Sequence, residues 1–161
     1  MANKSLIVVD MQKGFMTNSN YKLLTKKIND LIKHSNYTKI YLTKFINADN
    51  SFYETKLKWF KLKSQKSQDF SIKVPQNAII FEKMGYGLSF EQLNKLKELN
   101  QNSIDICGLQ SDACVYAIAL QLFDNDIFPN ILVNYIATNP SREHIVKEIL
   151  IHQFGSIDEK E

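Results

Sequence analysis

The sequence contains few cysteines and little excess charge of either sign, and each shortage excludes a class of protein. Its 161 residues include two cysteines, Cys107 and Cys114, whose spacing matches neither a disulfide-rich scaffold nor the paired cysteines of a zinc site. The formal net charge is only +3, far below the dense basic surface that nucleic-acid binding requires. We therefore expect no nucleic-acid partner.

Long apolar runs are also missing from the chain. No run approaches the roughly 20 residues that span a bilayer, and the first residues lack the charged, apolar and small-residue regions of a secretory signal. We therefore expect no membrane partner and a cytoplasmic location, where free thiols stay reduced and can take part in chemistry.

The chain does contain enough apolar material for one core. Hydrophobic residues make up 44% of it and charged residues 23%, which is ordinary for a globular protein and unlike a disordered one. A length of 161 residues matches the usual size of a single core. We expect one domain over residues 1–161.

Short apolar runs alternate with amphipathic patterns along the chain. The runs predict buried parallel strands at residues 6–9, 40–42, 78–81, 104–106 and 131–133. The amphipathic patterns predict four helices. The first has Leu24, Ile28, Leu31 and Ile32 on its inner face, and the second has Leu93, Leu96 and Leu99 behind a capping box at Ser89–Gln92. The third begins near Ser111 and buries Val115, Ile118, Ala119 and Leu122, and the fourth begins at Pro140-Ser141 with Ile145 and Ile149 inward.

This alternation predicts a three-layer α/β/α sandwich with a mainly parallel sheet of five to six strands and a Rossmann-like topology. Ligands of such folds bind at the carboxyl ends of the strands. The exception is the segment 47–77, where six lysines interleave with Trp59, Phe60 and Leu62 and no clear amphipathic helix is visible. That segment fits a lid or a subunit contact, and it fits an ordinary solvated connection equally well.

Three reactive side chains fall at the ends of predicted strands. Asp10 follows the first run, Lys83 the third and Cys114 the fourth, so a parallel sheet would bring them to one edge. A thiol with a pKa of about 8.5 needs a nearby cation or helix N-terminus to become a thiolate at neutral pH, and Lys83 with the helix near Ser111 can supply both. Asp10 can accept the thiol proton and return it to a leaving amine. Each residue also has a plain structural interpretation, as a turn former, an edge charge or a small core residue.

Three segments of the chain also resemble a known family. Their sequences are VVDMQKGF at residues 8–15, FEKMGYGLSF at residues 81–90 and GLQSDACV at residues 108–115. In this order they resemble the isochorismatase-like cysteine hydrolases, which include nicotinamidases and N-carbamoyl amidases. The resemblance implies that Asp10 is the catalytic acid/base, Lys83 the catalytic lysine and Cys114 the nucleophile. It also implies an oxyanion hole built from the amides of Gln110 and Cys114, a cis bond between Leu109 and Gln110, and a homodimer or larger homo-oligomer.

The chain departs from the family pattern at several positions. Ser111 stands where threonine is common, and residues 134–137 lack the usual Asp-Ala pair. Residues 42–50, at the end of the second strand, lack the histidines with which nicotinamidases bind a metal. The three histidines of the chain fall on predicted helices instead: His34, His144 and His152. We therefore expect no catalytic metal and no cofactor, and nicotinamide is disfavoured as the substrate.

These features favour a metal-independent cysteine hydrolase that cleaves a C–N bond of a small amide, carbamoyl or ureido compound. Phe15, Phe45, Phe52 and Tyr86 are candidate pocket residues, although aromatic residues more often pack in cores. Cys107, at a strand end, is expected to be a buried packing residue, and a disulfide with Cys114 is a minor alternative. The competing interpretation is a catalytically idle binding or scaffold protein of the same fold, with the basic 56–73 stretch as its partner surface.

Overall fold

The computed structural model describes residues 4–98 and 102–155. Its five strands are β1 (Ser5–Val9), β2 (Lys39–Phe45), β3 (Ile79–Lys83), β4 (Ser103–Leu109) and β5 (Phe128–Ala137). Its six α-helices are α1 (Ser19–His34), α2 (Phe52–Thr55), α3 (Gln65–Gln68), α4 (Phe90–Glu98), α5 (Cys114–Phe123) and α6 (Glu143–Phe154). Each predicted run became a strand, and the observed strands extend further at one or both ends.

All five strands run parallel in the order β3-β2-β1-β4-β5, which confirms the predicted sheet. The central strand β1 is buried on both faces. Its residues Leu6 and Val8 pack on the side of α1, whereas Ile7 and Val9 pack on the side of α4, α5 and α6. This alternation of side chains across the strand divides the core into two layers and produces the three-layer sandwich.

The predicted helices form, with two differences that affect the account of the core and the site. Helix α5 begins at Cys114 rather than near Ser111, because residues 110–113 form a turn. Helix α6 buries Val146, Leu150 and Phe154, whereas the predicted inward residues Ile145 and Ile149 are exposed. The prediction for α6 was wrong because its sequence is apolar around most of the helix, so spacing alone could not select the inner face.

The capping box of α4 is present: the Ser89 and Gln92 side chains each accept a hydrogen bond from the other residue's backbone amide. Leu93 and Leu96 are buried as predicted, and Leu99 lies outside the described residues. In the described part of the chain, no helix is long and apolar enough to cross a bilayer.

The segment 47–77 contains only the single-turn helices α2 and α3 in addition to loops. It is anchored to the sheet by an antiparallel bridge between Gln12 and Phe70. Gln12 also joins it to β2, because its side-chain amide donates to the carbonyls of Phe45 and Gln68 and accepts from the Phe45 amide. The segment therefore lies against the carboxyl ends of β1 and β2.

Candidate active site

The three predicted reactive residues meet at the carboxyl edge of the sheet. Asp10 directly follows β1, Lys83 is the last residue of β3 and Cys114 is the first residue of α5. Strand β2 lies between β1 and β3 in the sheet, and it contributes Thr43 to the same point. Sequence reasoning missed Thr43, because its position opposite Asp10 depends on the pairing of strands that are more than thirty residues apart.

Asp10 and Lys83 form a buried ion pair. The Lys83 Nζ lies 2.9 Å from Asp10 Oδ2, and the two side chains are 1% and 0% exposed. Thr43 Oγ1 donates to Asp10 Oδ1 at 2.6 Å and accepts from the Asp10 amide at 3.1 Å. Asp10 also has a φ of 48°, a left-handed conformation that non-glycine residues adopt at a cost and that is common at functional sites.

The Lys83 ammonium is held by backbone carbonyls as well as by Asp10. It donates to the carbonyls of Gly85 at 2.9 Å and Tyr86 at 3.3 Å, and it lies 5.2 Å from the centre of the Phe45 ring. Burial by itself lowers the pKa of Lys83, but Asp10 and Cys114 outweigh that effect, so the pKa is raised. Lys83 is therefore a permanent cation at neutral pH.

The Cys114 side chain lies close enough to Asp10 and Lys83 for both charges to act on its thiol. Burial raises the pKa of the thiol, the Asp10 carboxylate raises it further, and Lys83 only partly opposes them. The expected low-pKa thiolate is therefore wrong for the resting site. The raised pKa favours the thiol form of Cys114 beside Asp10.

Alkylation should distinguish the two thiols and test this protonation state. We expect iodoacetamide to modify Cys114, which lines a pocket, and to spare Cys107, which is fully buried. Because the raised pKa keeps the thiol neutral, the rate should rise about tenfold per pH unit from about pH 7 to about pH 9. Peptide mass mapping of labelled protein measures both effects.

Lys83→Met should make the alkylation slower at any fixed pH, since it removes the positive charge that lowers the pKa of Cys114. A rate plateau near neutral pH would contradict the raised pKa, and equal labelling of both cysteines would contradict the difference in access.

The loop before Cys114 contacts both strands that flank β4 in the sheet, β1 and β5. Gly108 has a φ of 116°, and a side chain there would collide with the Val9 backbone, so the motif requires glycine. The bond between Leu109 and Gln110 is cis. The Ser111 amide donates to the Ala137 carbonyl at 3.0 Å. This contact uses the backbone of β5, so it does not require a particular side chain at residue 137.

Asp112 gives the same loop a second attachment. Its carboxylate accepts from Thr138 Oγ1 and from Arg142 Nε at 2.8 Å, and both donors lie beyond β5. Burial opposes ionisation, but these two donors lower the pKa of Asp112 overall. The loop that carries Gln110 and Cys114 is therefore held by two side-chain bonds and one backbone bond.

Gln110 and Cys114, the predicted oxyanion-hole residues, both line the pocket. Cys114 opens helix α5, so its amide has no partner within the helix. Among the described loop and cap hydrogen bonds, neither the Gln110 amide nor the Cys114 amide is a donor. Neither amide is therefore occupied by a backbone partner among the described loops and caps.

The pocket in front of Cys114 has a volume of about 300 Å³, which is suited to a small molecule. The predicted residues Phe15, Phe45 and Tyr86 line it. Phe52 does not line it, because its side chain points to solvent and is 76% exposed. Sequence reasoning missed Tyr21, Tyr53, Leu57, Trp59 and Lys61, which also line the pocket.

The aromatic residues of the pocket form one contact network. Trp59 stacks on Phe15 with 6.0 Å between ring centres, and it lies 5.9 Å from Phe45 and 6.0 Å from Tyr53. Tyr53 contacts Tyr86 edge to face at 5.1 Å. Trp59, Leu57 and Lys61 come from the lysine-rich segment, so its role includes forming a wall of the pocket.

The buried Asn47 side chain holds this wall in place. Its Nδ2 donates to the carbonyls of Trp59 at 3.2 Å and Lys61 at 2.9 Å, and its Oδ1 accepts from Ser51 Oγ at 2.6 Å. Asn47 lies just beyond β2, in the region where the family resemblance implies metal-binding histidines that this chain lacks. A neutral amide that is already hydrogen-bonded is a poor ligand, and the described residues contain no group of three or more His, Cys, Asp or Glu that could hold a metal ion. The described residues at this end of β2 therefore do not provide the ligand set of a zinc site.

Replacing Asn47 should loosen the wall without disturbing the ion pair. Trp59 is the only tryptophan of the chain, so its fluorescence reports on the wall directly. We expect Asn47→Ala and Asn47→Asp to shift Trp59 emission to longer wavelength and to increase its quenching by acrylamide, because both lack the amide donors. Asn29→Ala is the matched control, since Asn29 bonds the Lys73 amide elsewhere. Unchanged emission in both Asn47 variants would contradict the role of Asn47 in holding the wall of the pocket.

The sequence of the chain matches a known protein family along most of its length. Residues 4–146 match the Isochorismatase domain family. The chain belongs to that family. No curated protein matches the sequence significantly, but solved structures do.

Three solved structures illustrate the likeness in fold. The pyrazinamidase of Pyrococcus horikoshii in complex with zinc is 20% identical, with 94% of this chain and 96% of that chain covered and a TM-score of 0.80. The nicotinamidase of Bacillus subtilis is 17% identical over 96% and 97% with a TM-score of 0.72. The N-carbamoylsarcosine amidase of Thermoplasma acidophilum is 14% identical over 96% and 94% with a TM-score of 0.74. The isochorismatase-like fold is therefore shared with amidases.

Cys107 occupies the interior of β4 and is fully buried, as predicted. Both cysteines are free. Burial and the nearby Asp105 raise the pKa of Cys107, so it is an unreactive packing residue.

Proposed function

We propose that this isochorismatase-family protein hydrolyses a C–N bond of a small amide, carbamoyl or ureido compound through a thioester on Cys114, without a metal. The observation that carries the proposal is the buried Asp10–Lys83 ion pair with the Cys114 thiol within reach of both, at the base of an aromatic pocket. A thiol, a base and a fixed cation are the groups that covalent acyl transfer needs.

In the first half of the reaction, Asp10 takes the Cys114 proton as the sulfur attacks the substrate carbonyl carbon. The carbonyl oxygen becomes an oxyanion, which the amides of Gln110 and Cys114 stabilise. The C–N bond then breaks as the protonated Asp10 gives the same proton to the departing nitrogen. An amine or ammonia leaves, and the acyl group stays on sulfur.

In the second half, Asp10 takes a proton from water as the water oxygen attacks the thioester carbon. The C–S bond breaks, the sulfur recovers a proton from Asp10 and the acid is released. Lys83 keeps its charge throughout, which stabilises Asp10 as a carboxylate between proton transfers. The cycle needs no oxidant, reductant or metal.

The relatives support the class of reaction and leave the substrate open. The names of the three solved structures above describe amidases of pyrazinamide, nicotinamide and N-carbamoylsarcosine. One of them was solved in complex with zinc, whereas the Asn47 amide beyond β2 of this chain is already hydrogen-bonded to the pocket wall. We propose a homodimer or larger homo-oligomer and a cytoplasmic location as accompanying properties, both to be tested on the purified and tagged protein.

The test is a screen of small amides and carbamoyl compounds for ammonia release by the purified protein. We expect turnover of at least one compound, an acyl adduct on Cys114 in rapidly quenched samples by mass spectrometry, and unchanged turnover after dialysis against EDTA. Loss of activity in EDTA that is restored by a divalent metal would refute metal independence. An absence of both turnover and adduct would favour the idle binding protein of the same fold.

A further inference from the structure

The charge of the pocket distinguishes among the eligible substrates. Among the described residues that line it, Lys61 is the only charged one, and the others are aromatic, aliphatic or neutral polar. The Asp10–Lys83 pair lies behind Cys114 and is neutral as a unit. A substrate in the pocket therefore meets one uncompensated positive charge.

The acidic residues near this wall are already paired. Asp49 and Glu54 both form ion pairs with Lys63, and Asp69 pairs with Lys13. Lys61 takes part in none of the ion pairs found in residues 4–98 and 102–155. The Asn47 amide fixes its backbone carbonyl at 2.9 Å, so the residue is held at the pocket wall.

An aromatic pocket by itself would also suit a cationic ligand, because ring faces attract cations. Lys61 decides against that choice, because it is an exposed residue at the edge of a pocket with apolar walls, and its positive charge repels a second cation. The same walls strengthen the attraction of an anion.

We propose that the pocket selects substrates that carry an anionic group, such as a carboxylate, at a distance from the C–N bond that is cleaved, with Lys61 as the counter-charge. This inference rests on the proposed function for its reaction, but the binding preference is independent of catalysis. The substrate class is then a small carboxylate-bearing amide or ureido compound.

The first experiment compares hydrolysis of two matched pairs of compounds. Each pair keeps the amide or ureido group and replaces a carboxylate with an isopropyl group: para-carbamoylbenzoate against para-isopropylbenzamide, and N-carbamoyl-β-alanine against isopentylurea. We expect kcat/KM to favour the anionic member by about tenfold or more, the scale of one charged hydrogen bond. Lys61→Met should remove that preference through KM with little change in kcat, and Lys56→Met, from the same segment but outside the pocket lining, should keep it.

The second experiment separates this inference from the reaction. The Cys114→Ala variant cannot form the thioester, and Trp59 emission can report binding of para-carbamoylbenzoate and para-isopropylbenzamide to it. Preferential binding of the anion that disappears in the Cys114→Ala/Lys61→Met double variant supports the inference even if wild-type protein hydrolyses nothing. Equal binding of both compounds, preference for the neutral one, or binding of neither would overturn it.

Discussion

Replacing Asp10 with asparagine is expected to reduce ammonia release by about four orders of magnitude. The amide has nearly the same shape and can still bond Thr43, but it cannot take the thiol proton. Because burial raises the pKa of Cys114, the uncatalysed thiolate fraction at neutral pH is small, so proton transfer to Asp10 is the step that creates the nucleophile. Ammonia release at saturating substrate, compared with wild type, measures the loss.

Asp105→Asn is the matched control for this substitution. Asp105 is also a buried aspartate in an ion pair, with Lys4, but it lies near the start of β4, away from the pocket. Its replacement should leave kcat within a fewfold of wild type. If Asp10→Asn retains turnover and has a native circular dichroism spectrum, the assignment of Asp10 as the residue that transfers the proton is contradicted.

The same ion pair should dominate the effect of single substitutions on stability. Lys83→Met removes the counter-charge of a carboxylate that is 0% exposed, and breaking a buried pair in this way costs about 3–5 kcal/mol of unfolding free energy. Asp10→Asn leaves the buried Lys83 ammonium without its carboxylate, but the ammonium still donates to the carbonyls of Gly85 and Tyr86. The loss of unfolding free energy should therefore be smaller than in Lys83→Met. Urea denaturation near pH 7 measures both.

The double variant Asp10→Asn/Lys83→Met should recover most of that loss while it remains inactive. Neither buried side chain then carries a charge, so the desolvation penalty disappears together with the attraction. Since the pKa of Lys83 is raised, its contribution is fully present below the ordinary lysine pKa of about 10.4 and is lost as pH rises beyond its folded value. Strictly additive losses in the double variant would mean that the two side chains do not interact.

Features that depend on neighbouring residues could be predicted from the sequence, whereas features that depend on contacts between distant segments could not. Strands such as β1 and β5 were predictable because a short apolar run rich in branched residues is typical of a strand that is buried on both faces. The two bonds of the Ser89–Gln92 capping box were predictable because both partners lie within one turn. The inner face of α6 was not, because its apolar residues surround most of the helix and only the packing against β5 selects Val146, Leu150 and Phe154.

The pocket shows the same division. Phe15 and Tyr86 could be proposed because they lie in the motif segments, and Phe45 because it stands near the end of the second predicted strand. Trp59 and Lys61 could not, since they reach the pocket through the Asn47 bonds and the Gln12–Phe70 bridge, which join distant segments. No local pattern marks such contacts.

The amino-acid sequence by itself determined which chemical groups are present and their order: a carboxylate, an ammonium and a thiol, each next to a strand that a parallel sheet brings to one edge. Only the tertiary structure decided the protonation state of the thiol, because a pKa depends on burial and on the charges around the group. The sequence suggested an activated thiolate, whereas the fold buries Cys114 beside Asp10, and both effects raise the pKa of the thiol.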